Sequence, residues 1–480
     1  MNHNSALAAV LRTVLLASAL VSGRSCGSFG HWTVGQTVST TSGNIIGHAA
    51  PNATKVSEYL GIPYAVAPVG TLRFQPPIAF NGTSIINGSD FGFGCTQAVL
   101  TAYPQSEDCL SINVWTKPQT GEQKKAVLVW VHGGAYSFGS SRGPDYNGEF
   151  IADTTDVVLM SINYRLGIFG FPGNPASTPN LGLLDMRMAM EWVRKNAKGF
   201  GGDPSRITVF GESAGAGMAD FYSYAFASDP IANGFILQSA TIPGFPALNE
   251  STTAARWFRI AEAVGCRGSS GSPGSVTDCM KNLTTEQIFA GFSAEETAVG
   301  AVPAFGPGVD NVIVFEDYTD RRSANAGYLM PNRSEAYWND FNFRYYTCAD
   351  AVRLDQLVRQ GVPSWRYRYF GDFPNLAIST NPPSGAYHGS ELRPLFGTMP
   401  RTPPSTPLQE ATGKLLRDAW TTFAKRPTSG LLEFSGGWPM YDPSQQSLAR
   451  IAFNNQTGIN LGRGSAYDGI CARLPNNPPS

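Results

Sequence analysis

The sequence predicts an α/β fold, a mostly parallel central sheet covered by helices on both faces. Two observations carry that expectation. Apolar runs of strand length recur at residues 110–115, 126–131, 157–162, 207–210, 234–237 and 365–370. Segments of helical period lie between several of them, above all 183–197 and 254–264.

The first element is a leader. Arg12 is the only charged side chain among residues 1–23, and a mostly apolar run over 14–21 leads to the small residues Ser22 and Gly23. This pattern predicts a secretory signal peptide over 1–23, with 24–480 as one domain. The run is too short to span a bilayer, and no later stretch reaches the roughly 18 apolar residues a span needs. The expectation is a secreted protein without a membrane anchor.

Charge points the same way as length. Lys plus Arg is 35 and Asp plus Glu is 36, so no net field favours nucleic acid or an anionic surface. Charged residues make up only 15%, while 52 glycines and 34 prolines predict a chain rich in turns. Secretion gives the Asn-x-Ser/Thr sites their meaning: Asn52, Asn81, Asn87, Asn249, Asn282, Asn332 and Asn455 are candidate glycosylation sites. It also predicts disulfides. Local spacing pairs Cys95 with Cys109 and Cys266 with Cys279, which leaves Cys348 with Cys471 and makes Cys26 the odd one out. No Cys-x-x-Cys or histidine cluster points to a metal, and no cofactor is expected.

Past the leader, residues 33–49 read as a glycine-punctuated hairpin. The chemistry begins later, at Gly211-Glu212-Ser213-Ala214-Gly215. Two other Gly-x-Ser-x-Gly matches, at 23–27 and 139–143, lack a strand before and a helix after. The third follows the β-branched run 207–210 and opens a helical segment. That is the context of a nucleophile elbow, in which a sharp strand-to-helix turn presents Ser213 at a helix N-terminus.

Acyl transfer at a serine also needs oxyanion donors, a base and a carboxylate that orients the base. The strand 127–131 runs into His132-Gly133-Gly134-Ala135, a small-residue loop able to aim backbone N–H groups at a substrate. For the base there are five histidines. His3 lies in the leader, His31 and His48 in the hairpin region, and His132 in the glycine loop. His388 remains, in Gly385-Ala386-Tyr387-His388-Gly389-Ser390-Glu391, C-terminal to the serine as the order Ser…acid…His requires.

Together with Gly61-Ile62-Pro63-Tyr64-Ala65, Glu107-Asp108-Cys109-Leu110, Asn163-Tyr164-Arg165-Leu166-Gly167 and Phe200-Gly201-Gly202-Asp203-Pro204, these segments resemble the type-B carboxylesterases. This is the family of cholinesterases, liver carboxylesterases and secreted fungal esterases and lipases. The resemblance implies an α/β-hydrolase fold and cofactor-free hydrolysis of small-molecule esters through an acyl-enzyme. It assigns Ser213 as nucleophile and His388 as base. The N–H groups of Gly134, Ala135 and Ala214 become the oxyanion hole, and Glu212 a buried acidic residue near the site.

The family's acid does not carry over. It sits in a segment resembling Gly-Asn-x-Asp-Glu-Gly/Ala, and only residues 323–333 stand where that strand and loop belong. The sequence thus reads as lacking one strand segment there, on the order of 20 residues with its loop. Glu335 is the nearest carboxylate, and Asp310 a second candidate. Loss of the acid keeps a rival reading open, a non-catalytic relative used for binding or adhesion. A lipase is the other alternative. Only 13 residues separate Cys95 from Cys109, with Tyr103 the sole aromatic among them. The family's lipases carry a long lid in that loop and its cholinesterases a tryptophan, so soluble or short-chain esters are the expected substrates.

Overall fold

The computed structural model describes residues 32–266, 272–294, 297–299, 302–303, 305–318, 327–332, 346–381, 383–469 and 471. The unit Thr33–Ser480 is built on an eleven-stranded sheet. Its strands in chain order are β1 (His48–Ala49), β2 (Ser57–Pro63), β3 (Ser111–Thr116), β4 (Lys125–Val131), β5 (Val157–Ile162) and β6 (Gly202–Glu212). After them come β7 (Gly234–Gln238), β8 (Gly327–Asn332), β9 (Ser364–Tyr369), β10 (Leu448–Ile451) and β11 (Asn460–Gly462).

Across the sheet the order is β11-β10-β9-β8-β7-β6-β4-β5-β3-β2-β1. From β10 to β5 every neighbour is parallel, while β11 and the β3-β2-β1 edge run antiparallel. Every residue of β3, β4, β5, β7 and β9 is buried, as strands covered on both faces must be, the parallel β4, β5, β7 and β9 and the antiparallel β3 alike. The six apolar runs read from the sequence fall on β3, β4, β5, β6, β7 and β9, with Leu110 and Phe370 one residue beyond the strand ends, and the hairpin forms between Val38–Thr40 and Gly43–Ile46.

One expectation needs correcting: residues 323–333 do not lack a strand. Within them β8 lies between β7 and β9 and pairs with both, in the registers Phe235↔Tyr328 and Tyr328↔Ser364. The ladder uses main-chain groups, so six residues suffice to keep the sheet continuous. Pro331, set opposite Tyr367, explains why the segment reads as loop. Proline has no N–H for the ladder and is rare inside sheets.

The helices that matter for the site are α1 (Leu181–Asn196), α2 (Ala214–Ala225), α3 (Glu250–Ala263), α4 (Cys348–Arg359) and α5 (Pro407–Lys425). The helix α5 starts where its sequence says it should. Thr406 accepts the N–H of Gln409, and Pro407 fills a position whose N–H has no helical partner. It packs against β4, β6 and β7.

An aromatic cluster joins the C-terminal third of the chain to the centre of the sheet. The Trp130 ring lies 4.9 Å from Phe210 and 5.1 Å from Phe396, all three fully buried. Such pairs add about 0.5–1.5 kcal/mol each beyond their area burial. Phe396 ends the short helix Leu392–Phe396, so the segment just after His388 is anchored on the strands that lead to the elbow and the glycine loop. The disulfides Cys95–Cys109, Cys266–Cys279 and Cys348–Cys471 are all present, as spacing predicts. Cys26 lies outside the described residues.

Candidate active site

The elbow is built by close approach of main chain to main chain. Ser213 caps α2 at φ 55°, ψ −126°, a conformation that costs a side-chain-bearing residue on the order of 1–3 kcal/mol. Its N–H donates to the carbonyl of Gln238 at 2.7 Å, tying the turn to β7. The flanking glycines are obligatory for different reasons. A Cβ on Gly211 would lie 2.5 Å from the carbonyl carbon of Gly215, within the turn itself. One on Gly215 would lie 2.1 Å from the carbonyl oxygen of Val131, at the end of β4. The first helical bond runs from Gly217 N–H to Ser213 C=O, so the N–H of Ala214 precedes the helical ladder.

The glycine loop lies beside this turn. Gly134 has φ 110°, and Ala135 and Tyr136 hold φ 50° and 56° without being glycine. The loop is closed by the N–H groups of Ser137 and Phe138, both donating to the Gly134 carbonyl at 2.9 Å. Ala135 is exposed and Gly133 and Gly134 are half-buried, so the loop borders open space. His132 shapes it from below. The ring is buried, stacks on Tyr164 at 4.7 Å and contacts the Gly133 carbonyl through Nδ1 at 2.8 Å. Burial lowers its pKa to about 4, which keeps it neutral and makes it a structural histidine.

His388 stands on the other side. Its Nε2 lies 3.1 Å from Oε1 of Glu212, and its side chain remains 42% exposed. Tyr346 lies against the imidazole, ring centroids 5.3 Å apart, and Phe245 lies 5.3 Å beyond Tyr346. The structure therefore brings together Glu212, Ser213, the glycine loop and His388. It does not bring Asp310 into this group. One carboxylate oxygen of Asp310 accepts the N–H groups of Val312, Ile313 and Val314, each at 2.9 Å, and the other accepts from Asn180. That is a loop-closing role, and the candidacy of Asp310 as acid is withdrawn. Glu335 lies outside the described residues.

Sequence reasoning missed the residues beneath the site. The buried Gln238 amide donates to Glu391 at 3.3 Å and accepts from the Trp420 indole at 3.2 Å, linking β7, α5 and the segment after His388. The available signal was a polar residue closing an apolar run at the C-terminal end of a parallel strand, where α/β sheets place their ligand crevices. Among the sequons, Asn52, Asn81, Asn87, Asn249, Asn282 and Asn455 are exposed. Asn332 ends β8, paired with Arg368 inside the sheet. No helix among the described residues is long and apolar enough to cross a membrane.

Comparison with known proteins agrees with this geometry. The family model described as "Carboxylesterase family" matches residues 35–331. The chain is 30% identical to "Secreted lipase 5" of Gibberella zeae, over 95% of this chain and 96% of that protein. It is 30% identical to "Chlorogenic acid esterase" of Aspergillus niger, over 86% of this chain and 87% of that protein. A 48% share of it is 38% identical to "Acetylcholinesterase" of Gallus gallus, covering 33% of that protein. A family match over more than half the chain, with two near full-length relatives, leaves one conclusion: the chain belongs to the carboxylesterase family.

Proposed function

We propose that the protein is a secreted serine esterase, delivered by the leader 1–23, that hydrolyses soluble carboxylic esters through Ser213 and His388. The observation that supports this reading best is the contact between His388 and Glu212, the residue immediately before the elbow serine. That contact supports pairing the base candidate with the nucleophile candidate, because Glu212 adjoins Ser213 in the chain.

In the proposed reaction the Ser213 Oγ–H bond breaks as Oγ bonds the ester carbon, and the proton passes to His388. The carbonyl oxygen gathers negative charge against the N–H groups of Gly134, Ala135 and Ala214. Collapse breaks the ester C–O bond, and the proton leaves with the alcohol. Water then repeats the exchange on the acyl-enzyme and releases the acid. Preorganised donors of this kind contribute about 2.7–4 kcal/mol each in acyl transfer.

The 13 residues between Cys95 and Cys109 support a preference for short or soluble esters over emulsified fat. The test uses p-nitrophenyl butyrate, a tributyrin emulsion and a fluorophosphonate label. We expect labelling and hydrolysis by the secreted chain and neither by Ser213→Ala, a fall in turnover of about 10³-fold or more. An unlabelled, inactive but folded chain would sink the esterase reading. Faster turnover on the emulsion would replace it with a lipase.

A further inference from the structure

We propose that Asn87 is an occupied N-glycosylation site whose first sugars cover an apolar patch formed by Ile46 and Ile85. The inference rests on the reading of the chain as a secreted protein and is independent of the esterase chemistry.

The patch comes from the pleat of a small sheet. Gly43–Ile46 and Ile85–Asn87 run parallel, with Asn44 opposite Ile85, Ile45 opposite Ile86 and Ile46 opposite Asn87. Alternation along each strand sends every second side chain to the same face. Ile45 is fully buried and Ile86 half-buried, so Ile46, Ile85 and Asn87 share the outer face. There Ile46 is 42% and Ile85 69% exposed. By strand geometry Ile46 lies about 4.8 Å across from Asn87, and Ile85 about 6.6 Å back along its own strand. Both are within reach of a sugar joined to the Asn87 amide.

Ile85–Asn87 is also the outermost strand of its three-stranded sheet, and it carries no charged side chain. Exposed apolar edge strands invite pairing with another chain unless charge, proline or a cover blunts them. Here the acceptor Asn87-Gly88-Ser89 borders both isoleucines.

The backbone holds that acceptor firmly. Gly88 N–H donates to the Ile46 carbonyl at 2.8 Å, and the Gly88 carbonyl accepts the N–H of Leu60 at 2.9 Å. Gly88 is thus pinned to the sheet while Asn87 beside it is exposed. Two other exposed acceptors spend their amide nitrogen on the fold. Nδ2 of Asn52 donates to the buried Glu149 at 2.8 Å, and Nδ2 of Asn282 to the Asp278 carbonyl at 2.9 Å.

The modification changes no oxidation state. Nδ2 of Asn87 bonds the anomeric carbon of a lipid-pyrophosphate-linked oligosaccharide, the co-reactant of the secretory pathway, and the bond from that carbon to phosphate oxygen breaks. The lipid pyrophosphate departs and one amide proton is lost. The C–H face of the first sugar then covers the isoleucines, and its hydroxyls meet water.

The test secretes the full-length chain from yeast and maps every acceptor after peptide-N-glycosidase release in heavy-oxygen water, which tags each glycosylated asparagine. Asn87→Gln and Ser89→Ala each remove the acceptor, and monomer is quantified by size exclusion with light scattering. We expect Asn87 to be occupied, and either variant to lower secreted monomer by about threefold or more, with aggregate in its place. Adding Ile46→Gln and Ile85→Thr should restore the monomer to within about twofold of the glycosylated parent. Gln is used at 46 because Ile46→Thr would make Asn44 a new acceptor. A glycan needed only for chaperone handling would not be replaced by two polar side chains. The proposal is overturned if Asn87 is unmodified while other acceptors are occupied, if the variants stay as monomeric as the parent, or if the polar pair restores nothing. Retention in the cell with every acceptor unmodified would overturn the secreted reading itself, and this proposal with it.

Discussion

The Cα of Gly133 is pressed against Glu212. A Cβ there would sit 2.7 Å from the Glu212 carbonyl oxygen, 3.0 Å from its Oε2 and 3.1 Å from the Ser213 Cβ. Two of these neighbours belong to the elbow's rigid frame, so Gly133→Ala must displace the glycine loop or the serine. We expect kcat on p-nitrophenyl butyrate to fall by about 10²-fold or more, the scale of losing one oxyanion donor. Fluorophosphonate labelling should slow in step.

His132 gives the fold an acid limit. The ring is buried and neutral, with a pKa lowered from 6.5 to about 4 by burial. The unfolded chain therefore takes up this proton first as pH falls through 6.5, and the folded chain only near 4. Stability is lost on acidification across that window, by roughly 3 kcal/mol from this group, and no further below it. Urea midpoints between pH 7 and pH 4 should fall, and more gently in His132→Asn.

Arg353 and Asp220 form an ion pair with no exposed surface on either side chain. The guanidinium donates twice to one carboxylate oxygen, at 2.9 and 2.8 Å, while the other oxygen accepts the N–H of Ile242. Replacing Arg353 by Met leaves a buried carboxylate without its cation, which costs about 3–5 kcal/mol. Equilibrium urea unfolding should show that loss. Because Asp220 sits on α2 and Arg353 on α4, activity should become heat-labile as well.

Much of the fold is legible in the sequence because burial on both faces leaves a simple mark. Runs such as 126–131 and 157–162 are apolar throughout and lie in β4 and β5. The serine and the histidine are legible for another reason: each stands in a short motif whose small residues serve backbone geometry. Two things escape. The strand β8 hides behind Pro331 and its Gly and Asn ends, which leave an apolar run of only three residues, Tyr328-Leu329-Met330. The contact between Glu212 and His388 joins residues 176 positions apart (388 − 212), and no local signal records a distance of that kind.

The approach of Gly215 to Val131 has a consequence for how such a protein diversifies. The elbow that carries Ser213 and the strand that leads into the glycine loop meet through main-chain atoms, 2.1 Å from where a side chain would begin. No exchange of side chains elsewhere can shift one relative to the other without breaking the sheet. The elbow and the strand are therefore tied as one rigid piece of main chain, whatever the surrounding loops carry.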